Sequence, residues 1–325
     1  MRSGPSHQFI PTERVSSPRA RAARIASSAT LRLPSVTGYY AAPKQPPILD
    51  RSNLRLRASH PQSQQDVCAD FIATMEGIDR SAVDRLALVS QQSAAAAIRE
   101  ARFARSAVPV YNEDGALALD HDEFPRPETS METLAGLKPV FGAWTDLVVD
   151  DTGNTYGALI RQKYPEIGAV EAIHHAGNSS GVVDGAAGLL LASEAYAKRH
   201  GLKPRARIVA TANIGDCPTL MLNAPGPAAR KVLQKAGLGV DDIDLFEINE
   251  AFAVVAEKFI RDLQLDRDKM NVNGGAIALG HPIVATGSVL IGTLLDELER
   301  QDKRRGLVTM CAAGGMAPAI IIERV

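Results

Sequence analysis

From residue 207 to the C-terminus, short apolar β-like runs alternate with helix-patterned segments, and this alternation constrains the fold more than any other feature. Residues 207–212 read as a strand. Pro225 and Pro227 stand where a helix begins, since proline in a first turn gives up an N–H that has no partner anyway, and that helix runs to Gly237. Residues 244–248 form a short strand, followed at once by a helix over 250–263. Residues 287–301 make another amphipathic helix, and 306–311 and 317–322 read as two buried strands joined by Gly-rich backbone. Strands that alternate with helices bury their apolar faces in a layered α/β architecture.

Upstream, the pattern is looser. Asp79 caps a helix whose apolar positions run through Leu86, Val89, Ala94 and Ala97 to about Phe103. Residues 111–140 are rich in Pro, Gly and acids and read as loop with short elements. After Gly177-Asn178-Ser179-Ser180-Gly181 and Val182-Val183-Asp184-Gly185, the small and apolar residues to about Lys198 predict a helix. The ordered chain is expected to start near Gln65.

Length and composition set the limits. A chain of 325 residues holds two domains or one large α/β unit with an extension. With 45% apolar and 22% charged residues it can bury a sizeable core, and a net charge of −1 gives no field toward nucleic acid or an anionic membrane. No apolar run reaches the length of a membrane span. Cys68, Cys217 and Cys311 are few and far apart, which fits a reduced compartment, and no Cys/His spacing suggests a metal site. Cytoplasmic location is the expectation. Residues 1–60 differ from the rest: ten Arg or Lys face only Glu13 and Asp50, seven prolines fall there, and no apolar period is sustained.

Three blocks in the last quarter carry chemistry. Asn249-Glu250-Ala251-Phe252 follows a strand, Gly280-His281-Pro282 closes a Gly-rich stretch from Asn273, and Cys311-Ala312-Ala313-Gly314-Gly315 ends another strand. An amide, an imidazole and a thiol at such turns suit acyl transfer, which needs a proton-transfer group and donors for an oxyanion. Each has an ordinary alternative: Asn249 as a helix N-cap, His281 as a turn residue, Cys311 as a small buried hydrophobe, Ser180 as turn chemistry. His174 and His175 are read as structural or pocket-lining, Cys217 as unremarkable, and Trp144 as a packing residue.

Together with Ser90-Gln91-Gln92 and Gly177–Ala186, these blocks stand in the order found in thiolases, and residues 65–325 resemble that family. The resemblance implies a layered αβαβα fold with its N-terminal domain largely missing, divided as residues 1–64 (basic, disordered), 65–200 (remainder of the N-terminal half with its loop domain) and 201–325 (C-terminal domain). It implies acyl transfer between CoA and 3-ketoacyl-CoA or acetyl-CoA, with CoA and acyl-CoA as substrates, no permanently bound cofactor, and a homo-oligomer or a partner thiolase chain. A non-catalytic CoA-binding protein or an inactive truncated product is the alternative.

By the same resemblance, His281 activates the nucleophilic cysteine and donates to a thioester oxygen, and Asn249 holds a water in the same oxyanion hole. Cys311 moves the α-proton, the Ala313 N–H serves the second oxyanion, and Ser180 bonds the pantetheine arm. The family's nucleophilic cysteine has no counterpart, because the Asp66-Val67-Cys68-Ala69-Asp70 context does not match it. Val284 and Ala313 stand where the family has glycine, so a β-branched side chain is expected near the reacting groups and strain at 313 if its φ is positive; Ala317 is a third departure. Residues 1–60 read as a targeting peptide (which makes the location organellar), as a disordered tail, or as non-native translation ahead of a truncated gene, and the last accounts for both the composition and the missing domain.

Overall fold

The computed structural model describes Asp50 and residues 53–325. Most of the basic segment, residues 1–49, lies outside the described residues. Ordered chain begins earlier than Gln65. Helix α1 (Leu54–Ser59) is capped by the Asn53 side chain, and Arg57 is buried, gripping Asp50 through two bonds of 2.7 and 2.8 Å and also pairing with Asp150. A fully engaged arginine of this kind fixes chain geometry that composition alone does not forecast.

Helices α2 (Gln65–Met75) and α3 (Arg80–Arg99) follow, the latter capped by Asp79 accepting from the Ala82 N–H at 2.8 Å. A small hairpin, β1 (Val110–Tyr111) and β2 (Leu117–Leu119), and the short helices α4 (Met131–Ala135) and α5 (Tyr156–Arg161) occupy the loop-rich region. The helix expected after Gly185, to about Lys198, is present only as α6 (Glu194–Arg199). Residues 182–193 instead run without helix or strand. Their start is pinned in extended form, because His281 N–H donates to Gly181 O at 2.8 Å and Val182 bridges to His281.

The C-terminal part holds a four-stranded sheet in the order β3 (Ala206–Gly215), β6 (Met316–Arg324), β5 (Arg305–Thr309), β4 (Leu245–Ile248). The β3–β6 and β5–β6 pairs are antiparallel and β4–β5 is parallel. The period of two sorts side chains onto two faces. Phe246, Ile248, Leu307 and Ile321 join the large core with α7 (Pro225–Ala236) and α8 (Ala253–Leu263). Leu245, Val308 and Ile322 face a second core with Leu290, Leu294 and Leu298 of α10 (Thr286–Arg300), which follows the one-turn α9 (Ala276–Leu279). The sheet thus lies between helical layers, the α/β layering expected from the sequence. Gly237, at φ +67°, ends α7 where the sequence placed its stop. Among the described residues no helix is long and apolar enough to cross a membrane.

Candidate active site

The neighbouring parallel strands β4 and β5 end side by side, and the candidate residues emerge there. Asn249 follows β4 directly, its N–H donating to Thr309 O of β5 at 3.2 Å, and Cys311 stands just beyond β5. Asn249 is not an N-cap: α8 begins three residues after Glu250, with Phe252 as its cap residue. The buried Asn249 side chain instead points its Nδ2 at His281 Nε2, 3.4 Å away, and leaves Oδ1 without a protein partner.

His281 is held from three directions. Its N–H bonds Gly181, its Nδ1 lies 2.7 Å from Thr286 Oγ1, and its Nε2 faces Asn249. Gly280, at φ +85°, permits the turn and the close approach of Val183, whose Cγ2 would lie 2.5 Å from any added Cβ. Burial holds the imidazole below its ordinary value of 6.5, so the ring is neutral at pH 7. A threonine hydroxyl accepts from an Nδ1–H or donates to a bare Nδ1. Thr286 therefore fixes the ring plane while leaving Nε2 free to be base or donor.

Ser180 sits between the two loops. Its N–H and its hydroxyl both donate to Ala251 O, at 3.0 and 3.1 Å, and the adjacent Ser179 bridges to Phe252. The hydroxyl's proton is thus committed internally, and its lone pairs remain for a ligand donor. Cys311 packs against the main core, and burial pushes its thiol up to about 12. In the Gly-rich loop, positive φ falls on Gly314 and Gly315, so Ala313 escapes the strain anticipated for it. The loop is closed by reciprocal bonds between Ala312 and Met316, which leave the Ala313 N–H outside them. Val284, three residues after His281, is 91% exposed. Ala317 is a buried member of the core.

Two supports escaped the sequence reading. Glu250, fully buried, accepts from Ser90 Oγ at 2.7 Å, Asn271 Nδ2 at 2.8 Å and the Ile277 N–H at 3.2 Å, tying α3, β4 and the loop leading to His281. Burial pushes its carboxyl above the ordinary range despite these bonds. Asn271 also bonds both the N–H and C=O of Ile248, at 2.9 Å each, extending the β4 edge. Proximity of Glu250 to Asn249 was the one available signal.

The remaining candidates lie elsewhere. His174 and His175 are buried structural partners of Asp70 (2.6 Å) and Asp84 (2.9 Å). Cys68 is wholly buried, donates to Thr219 O at 3.2 Å and is raised by burial, which makes it unfit as a nucleophile. Cys217 is not unremarkable: Lys163 Nζ and Tyr164 OH lie 3.2 and 3.1 Å from its sulfur. Trp144 packs edge-on against Phe141 beside the core.

Residues 53–145 match the model of the thiolase N-terminal domain, and residues 202–324 that of the thiolase C-terminal domain. An acetyl-CoA acetyltransferase of Thiocystis violacea is 40% identical over 266 residues, 81% of this chain and 61% of that protein. A beta-ketoadipyl-CoA thiolase of Pseudomonas aeruginosa is 41% identical over 261 residues, 79% of this chain and 58% of its own length. The crystal structure of the Bacillus anthracis acetyl-CoA acetyltransferase superposes with a TM-score of 0.69 at 35% identity, covering 81% of this chain and 60% of that one. The chain thus spans about three fifths of the length of these relatives. Two domain models in sequence order, with identity sustained over four fifths of the chain, exceed what a shared architecture brings, and the chain belongs to the thiolase family.

Proposed function

We propose that the chain is an acyl-CoA C-acyltransferase of the thiolase type, exchanging acyl groups between CoA and 3-ketoacyl-CoA or acetyl-CoA, with its site assembled only in part. The observation that carries this reading is the Asn249 amide aimed at Nε2 of a neutral, anchored His281. The Asn249 amide N–H bonds a bare Nε2; in the tautomer with Nε2–H, a thioester oxygen would accept from that N–H and from a water held by Asn249, the donor pair of an oxyanion hole. Ser180 offers acceptor lone pairs to an amide of the pantetheine arm. Cys311, protonated at neutral pH, is set to give a proton to an enolate carbon rather than to take one.

The nucleophilic thiol is the missing part. Cys68 is locked in the core, Cys217 faces Lys163 and Tyr164 rather than His281, and the ring of His281 has Asn249 and Thr286 as its partners instead of a thiol. A partner thiolase chain would supply it. The second reading, CoA binding without turnover, is favoured by the high Cys311 value, since removing an α-proton needs a thiolate.

The test is CoA-dependent loss of acetoacetyl-CoA by the purified chain against a His281→Ala control, paired with calorimetric titration of CoA. Turnover above the control supports acyl transfer. Binding heat without turnover selects the second reading, and neither signal from a folded sample rejects both.

A further inference from the structure

The surroundings of Cys217 set it apart from the other two thiols. It opens the turn after β3, where the neighbouring Asp216 N–H donates to Gly315 O at 2.8 Å. Its sulfur accepts from the Tyr164 hydroxyl at 3.1 Å and the Lys163 ammonium at 3.2 Å, both just past the end of α5. The N–H groups of Leu220 and Thr219 also point at it.

Burial, the largest influence, favours the neutral thiol, but Tyr164, Leu220, Lys163 and Thr219 together hold it below its ordinary value of 9.0. Tyr164 moves the opposite way, raised by burial and then by Cys217, Asp216 and Glu166, and so stays a donor. Cys217 is 9% exposed and Lys163 lies at the surface, so a sulfur that receives two side-chain donors sits under an accessible amine.

We propose that Cys217 and Lys163 form an acyl-relay site, in which the Cys217 sulfur takes an acyl group from a thioester and passes it to the Lys163 nitrogen, leaving an Nε-acyl-lysine. In the first step Sγ attacks the thioester carbonyl carbon. The new S–C bond forms, the donor's C–S bond breaks, and the departing thiolate takes the proton that Lys163 releases. That step removes the negative charge facing the ammonium, which favours the neutral amine needed next.

In the second step the Lys163 nitrogen attacks the same carbon. The C–N bond forms, the Cys217 S–C bond breaks, and the nitrogen's proton returns to sulfur, with Tyr164 donating to the leaving sulfur. No oxidant or reductant enters. Nucleophile and acceptor held this close gain the advantage of an intramolecular reaction. The relay rests on the acyl-CoA reading only for the cellular donor and uses neither His281 nor Cys311.

The full chain is incubated with acetyl-CoA and, separately, with the small donor S-acetyl-N-acetylcysteamine, and each lysine is read by peptide mass spectrometry. Acetylation of Lys163 is expected at about tenfold or more over the exposed Lys138 and Lys203. Cys217→Ser and Cys217→Ala should both bring Lys163 down to that background, and Lys163→Arg should accumulate a hydroxylamine-labile thioester on Cys217. Equal Lys163 acetylation in wild type and both Cys217 variants overturns the relay, as does absence of the thioester in Lys163→Arg with the small donor. Relay with the small donor but not with acetyl-CoA upholds the site and counts against acyl-CoA as its donor.

Discussion

Ser90 on α3 donates to the buried Glu250 carboxylate at 2.7 Å, across 160 residues of sequence. The same carboxylate holds Asn271 and the Ile277 N–H, so one side chain joins the helix, the strand end bearing Asn249 and the loop bearing His281. Removing it strands three buried donors, each costing about 1–3 kcal/mol. Glu250→Ala should therefore lose on the order of 4 kcal/mol, against roughly 1–2 for Ser90→Ala, measured by urea unfolding. Equal losses would show that Glu250 is not the junction.

Gly275 stands against the same carboxyl group. An added Cβ there would lie 2.2 Å from Glu250 Cδ, whereas one on Gly314, at φ +79°, meets nothing within 4 Å. Gly275→Ala should cost about 3 kcal/mol by overpacking, and Gly314→Ala about 1 kcal/mol by backbone strain alone. Thermal unfolding of the two variants should rank them in that order.

The sequence made local features legible and left long-range ones hidden. Asp79 and Gly237 mark helix ends through chemistry confined to one turn, and the blocks around Asn249 and His281 hold two side chains that lie 3.4 Å apart. The Glu250–Ser90 junction and the Lys163–Cys217 contact depend on chain separated by 160 and 54 residues, which no local pattern encodes. Residues 186–193 misled because small apolar residues suit helix and extended chain alike. The choice fell to Gly181, Val182 and Val183 docking against the Gly280-His281 turn, and Leu190 remains 86% exposed.

On β6, Glu323 pairs directly with Arg207 of β3 on one side and Arg305 of β5 on the other, at 2.7 and 2.6 Å. Burial opposes the charge, but Arg305 and Arg207 hold the carboxyl at about 2, below its ordinary 4.5. The folded state thus favours the ionised form, and its stabilisation is present above pH 4.5 and lost as pH falls toward 2. Since Arg207 is largely exposed, Glu323→Gln should cost only about 1–2 kcal/mol at pH 7. The variant and wild type should converge in chemical denaturation near pH 2. A difference that persists there would assign the effect to packing.

The neutral His281 ring gives the site its most direct test. Burial lowers its value, so the folded state disfavours the imidazolium, and the stability this brings is complete above 6.5 and declines as pH falls below it. Ring-proton NMR should show a His281 midpoint below 6.5. Thr286→Val removes the hydroxyl that accepts from Nδ1–H in the cation, 2.7 Å away, and should lower the midpoint further while freeing the ring plane. A wild-type midpoint at or above 6.5 would mean that the ring is solvated, and a solvated ring would lose the fixed approach to Asn249 on which the proposed oxyanion hole depends.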